Sequence, residues 1–129
     1  MALGEVRDSI KFHHSGEVIP IKTAIDCQTS NVLYKLDCLK CPIPYLGETM
    51  QRAEQRLVGH INTINLDCLE GTSAPVGRHF RDMPGHSHSD VQFTPFEKIR
   101  SQDPFIRKAR ERHLINVHGL LEFGLNKNL

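Results

Sequence analysis

Alternating apolar and polar residues predict a β-hairpin in the middle of the chain. The first strand is expected over Asn31–Asp37. Its alternation places Val32, Tyr34 and Leu36 on one face and the intervening side chains on the other. A short turn then leads into Tyr45–Gly47, which we expect to form the second strand.

Two further segments carry the strand pattern outside this hairpin. Residues Val91–Ile99 predict a strand, and Pro95 within it favours an edge position because proline cannot donate a ladder hydrogen bond. Near the N-terminus, Ser9–Phe12 and Val18–Ile21 flank Gly16, a residue type common in turns, and predict a weak hairpin or a peripheral arm.

Helical spacing of apolar residues predicts a long helix after the central hairpin. It is expected from about Met50 to Leu66, with Thr49 as its N-cap. The residues of its apolar stripe are Ala53, Leu57, Val58, Ile61 and Ile64. A short helix over Val76–Phe80 follows, and the Pro84-Gly85 pair then breaks the chain.

The last helix is predicted by its start and stop signals. Asp103 and Pro104 form a typical N-cap and first-turn pair, and Gly119 ends a helix that reaches about Val117. Its expected buried residues are Phe105, Ala109, Leu114 and Ile115. The predicted fold is α+β, with a small antiparallel three-stranded sheet flanked by helices, and 129 residues suit one domain.

Composition narrows the class of protein. No apolar run approaches the ~20 residues of a membrane helix, so no membrane partner is expected. The first ten residues lack the apolar core of a secretory signal, which favours an intracellular, reducing location. The formal charge is only +1, so DNA binding would need a local basic patch.

Each candidate catalytic residue is a weak signal alone. Arg56 and His60 are four residues apart and share a helix face, which most often is simply a solvated face. Glu111 stands among basic residues, where a surface ion pair is the ordinary reading. Together the candidates are more specific, because they occur in a defined order along the chain. They are Tyr34, Tyr45, Arg56, His60, Glu111 and Asn126.

This order resembles the GIY-YIG nuclease superfamily from about Cys27 to Asn126. The first motif, Val32-Leu33-Tyr34, lacks the leading glycine of the family, whereas Tyr45–Gly47 keeps the Tyr-x-Gly pattern. The nuclease domain of Penelope-like retroelements is the closer resemblance. The segments that carry it are Tyr45-Leu46-Gly47-Glu48-Thr49, Arg56-Leu57-x-x-His60, Val76-x-x-His79-Phe80, Pro84-Gly85-His86-Ser87 and Gly124-Leu125-Asn126.

The resemblance implies a division of the chain and a role for each residue. Residues 1–26 would be an N-terminal arm or linker remnant, and residues 27–129 a nuclease domain of GIY-YIG fold. Tyr34 and Tyr45 would lie at the scissile phosphate, one of them helping to deprotonate the attacking water. Arg56 would steady the phosphate, a role that suits the fork of a guanidinium. Glu111 would bind a single Mg²⁺ or Mn²⁺ ion, with His60 and Asn126 in support.

A second metal site is indicated by Cys38 and Cys41, because a C-x₂-C pair at a hairpin turn is half of a common zinc site. His79 and His86 are the natural second half, and the Penelope-like branch has such a Cys/Cys/His/His set. Two reduced thiols on a turn are the alternative. The remaining cysteines, Cys27 and Cys68, have no obvious partner. The remaining histidines are expected at the surface: His13, His14, His88, His113 and His118.

Basic residues cluster around the last strand and helix, and phosphate contacts by them would give DNA binding with little base specificity. They are Lys98, Arg100, Arg107, Lys108, Arg110 and Arg112, with Arg52, Arg56, Arg78 and Arg81 elsewhere. The leading hypothesis is a nuclear, mobile-element-derived DNA endonuclease, whose family context adds a reverse transcriptase domain absent from this chain. The alternative is a catalytically silent, zinc-stabilised module that binds nucleic acid or protein.

Overall fold

The computed structural model describes residues 9–21, 24–41, 43–65 and 74–126. Its elements follow one another in an α+β order, as the sequence predicts. The strands are β1 (Ser9–Lys11), β2 (Val18–Pro20), β3 (Val32–Cys38), β4 (Pro44–Thr49) and β5 (Val91–Lys98). The helices are α1 (Ala53–Asn65), α2 (Ala74–Asp82), α3 (Pro104–Val117) and α4 (Leu120–Phe123), with a 3₁₀ turn at His88–Asp90.

The central sheet is antiparallel with the strand order β4-β3-β5, and β1 pairs with β2 in a separate hairpin. Pro95 lies in β5, at one edge of the sheet, as its missing N–H predicts. It faces Tyr34 just after a register shift in the β3–β5 ladder. The predicted α+β class and the small antiparallel sheet with flanking helices are therefore confirmed.

Both faces of the sheet are buried, and the alternation along β3 divides the core. One cluster contains Val32, Tyr34 and Leu36 together with apolar residues of α1 and α2. The other contains Leu33 together with residues of α3 and α4. Ile10 and Phe12 of the N-terminal hairpin belong to this second cluster, so the hairpin within residues 1–26 packs directly onto the sheet layer.

The start of α1 differs from the prediction. Thr49 is still part of β4, where its hydroxyl accepts a hydrogen bond from the Gln51 amide, so its assignment as N-cap is wrong. The first amides of α1 instead donate to distant backbone carbonyls: Ala53 N–H to Thr29 and Glu54 N–H to Cys27. The predicted end at Leu66 lies outside the described residues, as does Cys68.

The burial of several helical residues also differs from the prediction. On α1, Val58 is exposed. On α3, Leu114 and Ile115 are buried as expected, but Phe105 and Ala109 are exposed. The helix inserts Arg107 toward the sheet in their place, because Glu48 and Asn31 there offer it hydrogen-bond acceptors.

The C-terminal segment contains one more turn of helix, α4, than the sequence predicts. His118, expected at the surface, is buried, whereas the other four surface histidines are exposed. The His118 ring stacks on Phe12 with 4.4 Å between ring centroids, and its Nδ1 lies 3.2 Å from a Glu17 carboxylate oxygen. The N-terminal hairpin therefore covers the end of α3.

Candidate functional site

A pocket of about 300 Å³ is lined by residues of the β3–β4 hairpin, α1, α3 and α4. Tyr34 of β3, Tyr45 of β4, Arg56 of α1 and Glu111 of α3 all line it. The remaining lining residues are Glu48, Lys108, Arg112, Ile115, Asn116 and Leu121. Four of the six sequence-predicted catalytic residues thus meet in one cavity, although 77 positions separate the first from the last.

The Tyr34 side chain is fixed in place by contacts on every side. Its hydroxyl lies 2.6 Å from His60 Nε2 and accepts a hydrogen bond from Arg56 Nε at 3.2 Å. Its ring stacks on Phe93 and passes directly over Gly47. A Cβ atom at Gly47 would overlap that ring, so the glycine of the Tyr-x-Gly motif is needed for this close approach.

Burial dominates the proton affinities around Tyr34. It raises the pKa of the Tyr34 phenol well above its ordinary value, and it lowers the pKa of His60 well below its ordinary value. His60 is therefore a neutral imidazole near pH 7, and its Nε2 can accept the Tyr34 proton in a hydrogen bond. Arg56 lowers the pKa of the phenol, and so favours the phenolate, but burial is the larger effect.

Tyr45 is the second phenol of the pocket. Its ring centroid lies 6.4 Å from that of Tyr34 and 5.5 Å from that of His60. Burial, followed by the charge of Glu111, raises the pKa of Tyr45 to about 12. Arg56 opposes this shift through its charge and a side-chain hydrogen bond. The one guanidinium therefore interacts with both phenols.

The carboxyl group of Glu111 in the pocket has a strongly raised pKa. Burial, and then the nearby charge of Glu48, raise the pKa of Glu111 to about 7. A carboxyl group with a strongly raised pKa is typical of a functional site. A cation bound beside it would favour the ionised form. A single carboxylate donor suits a hard divalent cation that keeps most of its waters.

Glu48 is a pocket residue for which the sequence suggested no role. Its carboxylate forms ion pairs with Arg107 and Lys108, the latter at 3.3 Å. Arg107 also donates to Asn31 Oδ1 at 2.9 Å, so the pair joins α3 to β4 and to the residue that precedes β3. The signal available in the sequence was an acid two residues beyond Leu46, on the strand face that meets α3.

Asn126 does not line the pocket. It is fully buried and forms two hydrogen bonds with the backbone of Leu46 in β4. Its Oδ1 accepts from the Leu46 N–H at 2.8 Å, and its Nδ2 donates to the Leu46 carbonyl at 2.6 Å. The side chain thus acts as one more strand residue along the β4 edge. This places Asn126 next to the strand that carries Tyr45 and Glu48, and outside the set of residues that line the pocket.

A separate cluster of Cys38, Cys41, His79 and His86 lies at the turn between β3 and β4. The four residues can each offer one ligand atom, and these atoms all lie within 4.8 Å of one another. The Cys41 sulfur is 3.2 Å from His86 Nε2. The cluster brings the hairpin turn against α2 and the loop that follows it, and it could hold a metal ion such as zinc.

The two histidines have the surroundings of metal ligands. The buried Nε2 atom of His79 has no hydrogen-bond partner within the described part of the chain. His86 Nδ1 lies 3.2 Å from the Pro84 carbonyl oxygen, a contact that holds the proton on Nδ1 and leaves Nε2 free to coordinate. The residues therefore fit a Cys₂His₂ metal site.

The basic residues of α3 divide into two groups. Arg107 is buried in its pair with Glu48, and Arg110 pairs with Glu97 through Nε at 2.8 Å. Lys108 and Arg112 line the pocket with exposed side chains. These two are therefore the cations of α3 that a ligand entering the pocket meets.

Within the described ranges, no helix is long and apolar enough to span a bilayer. Comparisons with protein-family models, with curated proteins and with solved structures found no match to this chain. The pocket and the Cys₂His₂ cluster are therefore the two features of the chain that point to a function.

Proposed function

We propose that this chain is a divalent-metal-dependent endonuclease domain of the GIY-YIG type that hydrolyses phosphodiester bonds in DNA. One observation carries the proposal: Tyr34, Tyr45, Arg56 and Glu111 line one cavity. They arrive there from three different layers of the fold, and a shared phosphate-cutting site is a reason for these residue types to converge.

Each side chain has a task suited to its chemistry. The Arg56 guanidinium binds two oxygens of the phosphate and offsets the negative charge that develops in the transition state. Glu111 holds Mg²⁺ or Mn²⁺. When bound, such an ion neutralises phosphate charge and lowers the pKa of water. Lys108 and Arg112 at the pocket contact flanking phosphates of the same strand.

The phenols supply the proton chemistry. Tyr34 donates a hydrogen bond to neutral His60, whose Nε2 is 2.6 Å away, and this bond orients the phenol, while the nearby Arg56 favours the phenolate form. Tyr45 shares Arg56 with Tyr34, so either phenol can orient a water against the phosphate. Burial raises the pKa of both phenols, and a cation held by Glu111 would favour the phenolate form that a general base needs.

The Cys₂His₂ cluster is proposed to bind zinc with a structural role. Four protein ligands leave no position open for a substrate, which is the rule for structural zinc. The ion would link the turn of the β3–β4 hairpin to α2 and so stabilise the register of the two strands that carry Tyr34 and Tyr45.

The proposal extends to the biological setting. DNA is the partner of this domain, a mobile element of the Penelope-like kind is its origin, and the nucleus is its place of action. A fused reverse transcriptase domain would supply target choice, since the pocket itself offers two exposed cations and no base-reading helix within the described residues.

The direct test is nicking of a supercoiled plasmid by the wild type and by Glu111→Gln, with Mg²⁺, with Mn²⁺ and without added metal. The expected result is metal-dependent conversion to the open circle by the wild type, reduced at least about 100-fold in the variant. Glu97→Gln is the matched control, because Glu97 pairs with Arg110 and does not line the pocket. Binding of DNA without any cutting would instead support the silent zinc-stabilised module.

A further inference from the structure

Phe105 is an apolar side chain in an unusual place. It lies in the first turn of α3, directly after the Asp103 cap and Pro104. It is 78% exposed, the highest value for a large apolar residue in the described ranges. Phe105 does not pack into the core, so it forgoes the roughly 1.5–3 kcal/mol by which burial of a phenylalanine side chain stabilises a fold.

Helical geometry places Phe105 beside the pocket. Seven residues of α-helix turn through close to two full revolutions, so Phe105 and Arg112 project within about 20° of one direction. Arg112 lines the pocket, and Phe105 stands about 10 Å further along the same face. Lys108, a pocket residue with a 61% exposed side chain, lies between them on this side of the helix.

An aromatic ring next to two exposed cations is the combination found on surfaces that hold single nucleic acid strands. On such surfaces the cations bind phosphates, and the aromatic ring stacks on the face of a base, whatever the sequence. We propose that Phe105 stacks on an unpaired nucleobase of a DNA strand whose neighbouring phosphate occupies the pocket. This inference rests on the proposed nuclease function and names its substrate class: DNA with unpaired nucleotides beside the cut.

The requirement for an unpaired base follows from the ring itself. Inside a duplex, both faces of each base are already covered by its neighbours. A phenyl ring reaches the face of an unpaired base only at a single-stranded segment, a gap or a flap. The stacking contact therefore selects a structure of the DNA and leaves its sequence free.

Fluorescence anisotropy with a labelled single-stranded oligonucleotide and the matched duplex tests the inference, with the whole chain and without added Mg²⁺. Phe105→Ala is expected to weaken single-strand binding by roughly 5- to 100-fold and duplex binding by less than about twofold. Phe105→Trp should retain the preference for the single strand. Ile106→Ala is the control, because Ile106 is 49% exposed but turned about 100° away on the helix.

Unchanged single-strand binding by Phe105→Ala would overturn the inference, as would equal losses for single strand and duplex. A parallel reaction with Mg²⁺ separates this result from the proposed function. A wild type that shows the Phe105-dependent preference but cuts nothing supports the stacking contact and refutes the nuclease. A wild type that cuts duplex and single strand equally, with no effect of Phe105→Ala on either, refutes the stacking contact alone.

Discussion

At the scale of single residues, Glu111 stands out because its environment disfavours the charge that its proposed role requires. Its pKa is raised to about 7 from 4.5, so the folded state binds more protons than the unfolded state between these two values. Stability therefore falls as the pH rises through this window. A group retained against folding stability in this way is typical of a functional site.

Glu111→Gln is accordingly expected to stabilise the metal-free domain at pH 8, by up to about 3 kcal/mol, because it removes a buried charge. At pH 4.5 the wild-type carboxyl is protonated in the fold, and the two proteins should unfold almost alike. Thermal or urea unfolding at both pH values measures the difference. Equal stability at pH 8 would show that Glu111 is better solvated, or better paired, than its surroundings indicate.

The two phenols give a second prediction at this scale. Tyr34→Phe and Tyr45→Phe each remove one hydroxyl and keep the ring, so the core packing with Phe93 and His60 remains. Cutting should fall by roughly 100-fold or more in the variant that lacks the working phenol, with a loss of stability of about 1–2 kcal/mol. Single-turnover cleavage and thermal unfolding are the two measurements. Collapse of the fold in both variants would mean that the phenols serve structure alone.

At the scale of elements, the β3–β4 hairpin is held at its turn and along the β4 edge. The Cys₂His₂ cluster lies at the turn, and Asn126 holds the β4 edge from the C-terminal segment. Leu125 N–H also donates to the Pro44 carbonyl at 2.8 Å, at the start of β4. Both features act on the strand that presents Tyr45 and Glu48 to the pocket.

Zinc removal is expected to loosen the turn. A strong chelator, or Cys41→Ser, should lower the melting temperature by several degrees or more, since structural zinc contributes roughly 10–16 kcal/mol of apparent binding energy in small peptides. Cys27→Ser is the control, because Cys27 lies outside the cluster. The measurements are the zinc content of the purified protein and its melting curve. A zinc-free protein with an unchanged melt would exclude the metal.

Asn126→Ala is expected to destabilise the domain by about 2–4 kcal/mol, because it leaves the buried N–H and C=O of Leu46 without their partners. Asn126→Asp keeps the acceptor for the N–H but loses the donor to the carbonyl, so it should restore only part of the loss. Urea unfolding measures both. Wild-type stability in the alanine variant would show that water replaces the amide at this edge.

At the scale of the whole molecule, the sequence predicted most of what local patterns can specify. The period-two alternation of β3 correctly divided its side chains between two cores, and the Asp103-Pro104 pair correctly began α3. The convergence of Tyr34, Tyr45, Arg56 and Glu111 followed from a family resemblance, because no local pattern links positions so far apart in the chain.

The errors arose where distant contacts override local signals. Thr49 has the chemistry of an N-cap, but the carbonyls of Cys27 and Thr29 already accept the first amides of α1. Phe105 has the spacing of a core residue, but α3 packs on β4 through the Arg107–Glu48 pair, which turns Phe105 outward. Neither partner is adjacent in sequence, so periodicity alone could not find it.

Tyr34, Tyr45, Arg56 and Glu111 are proposed to act together as one phosphodiester-cutting unit. The most direct test is single-turnover cleavage of labelled DNA in Mg²⁺ by the wild type, Arg56→Gln, Glu111→Gln and the double variant. We expect cleavage by the wild type, a loss of at least about 100-fold in each single variant, and a double variant about as slow as the slower single one. Undiminished cleavage by Glu111→Gln, or no metal-dependent cleavage by the wild type, would contradict it.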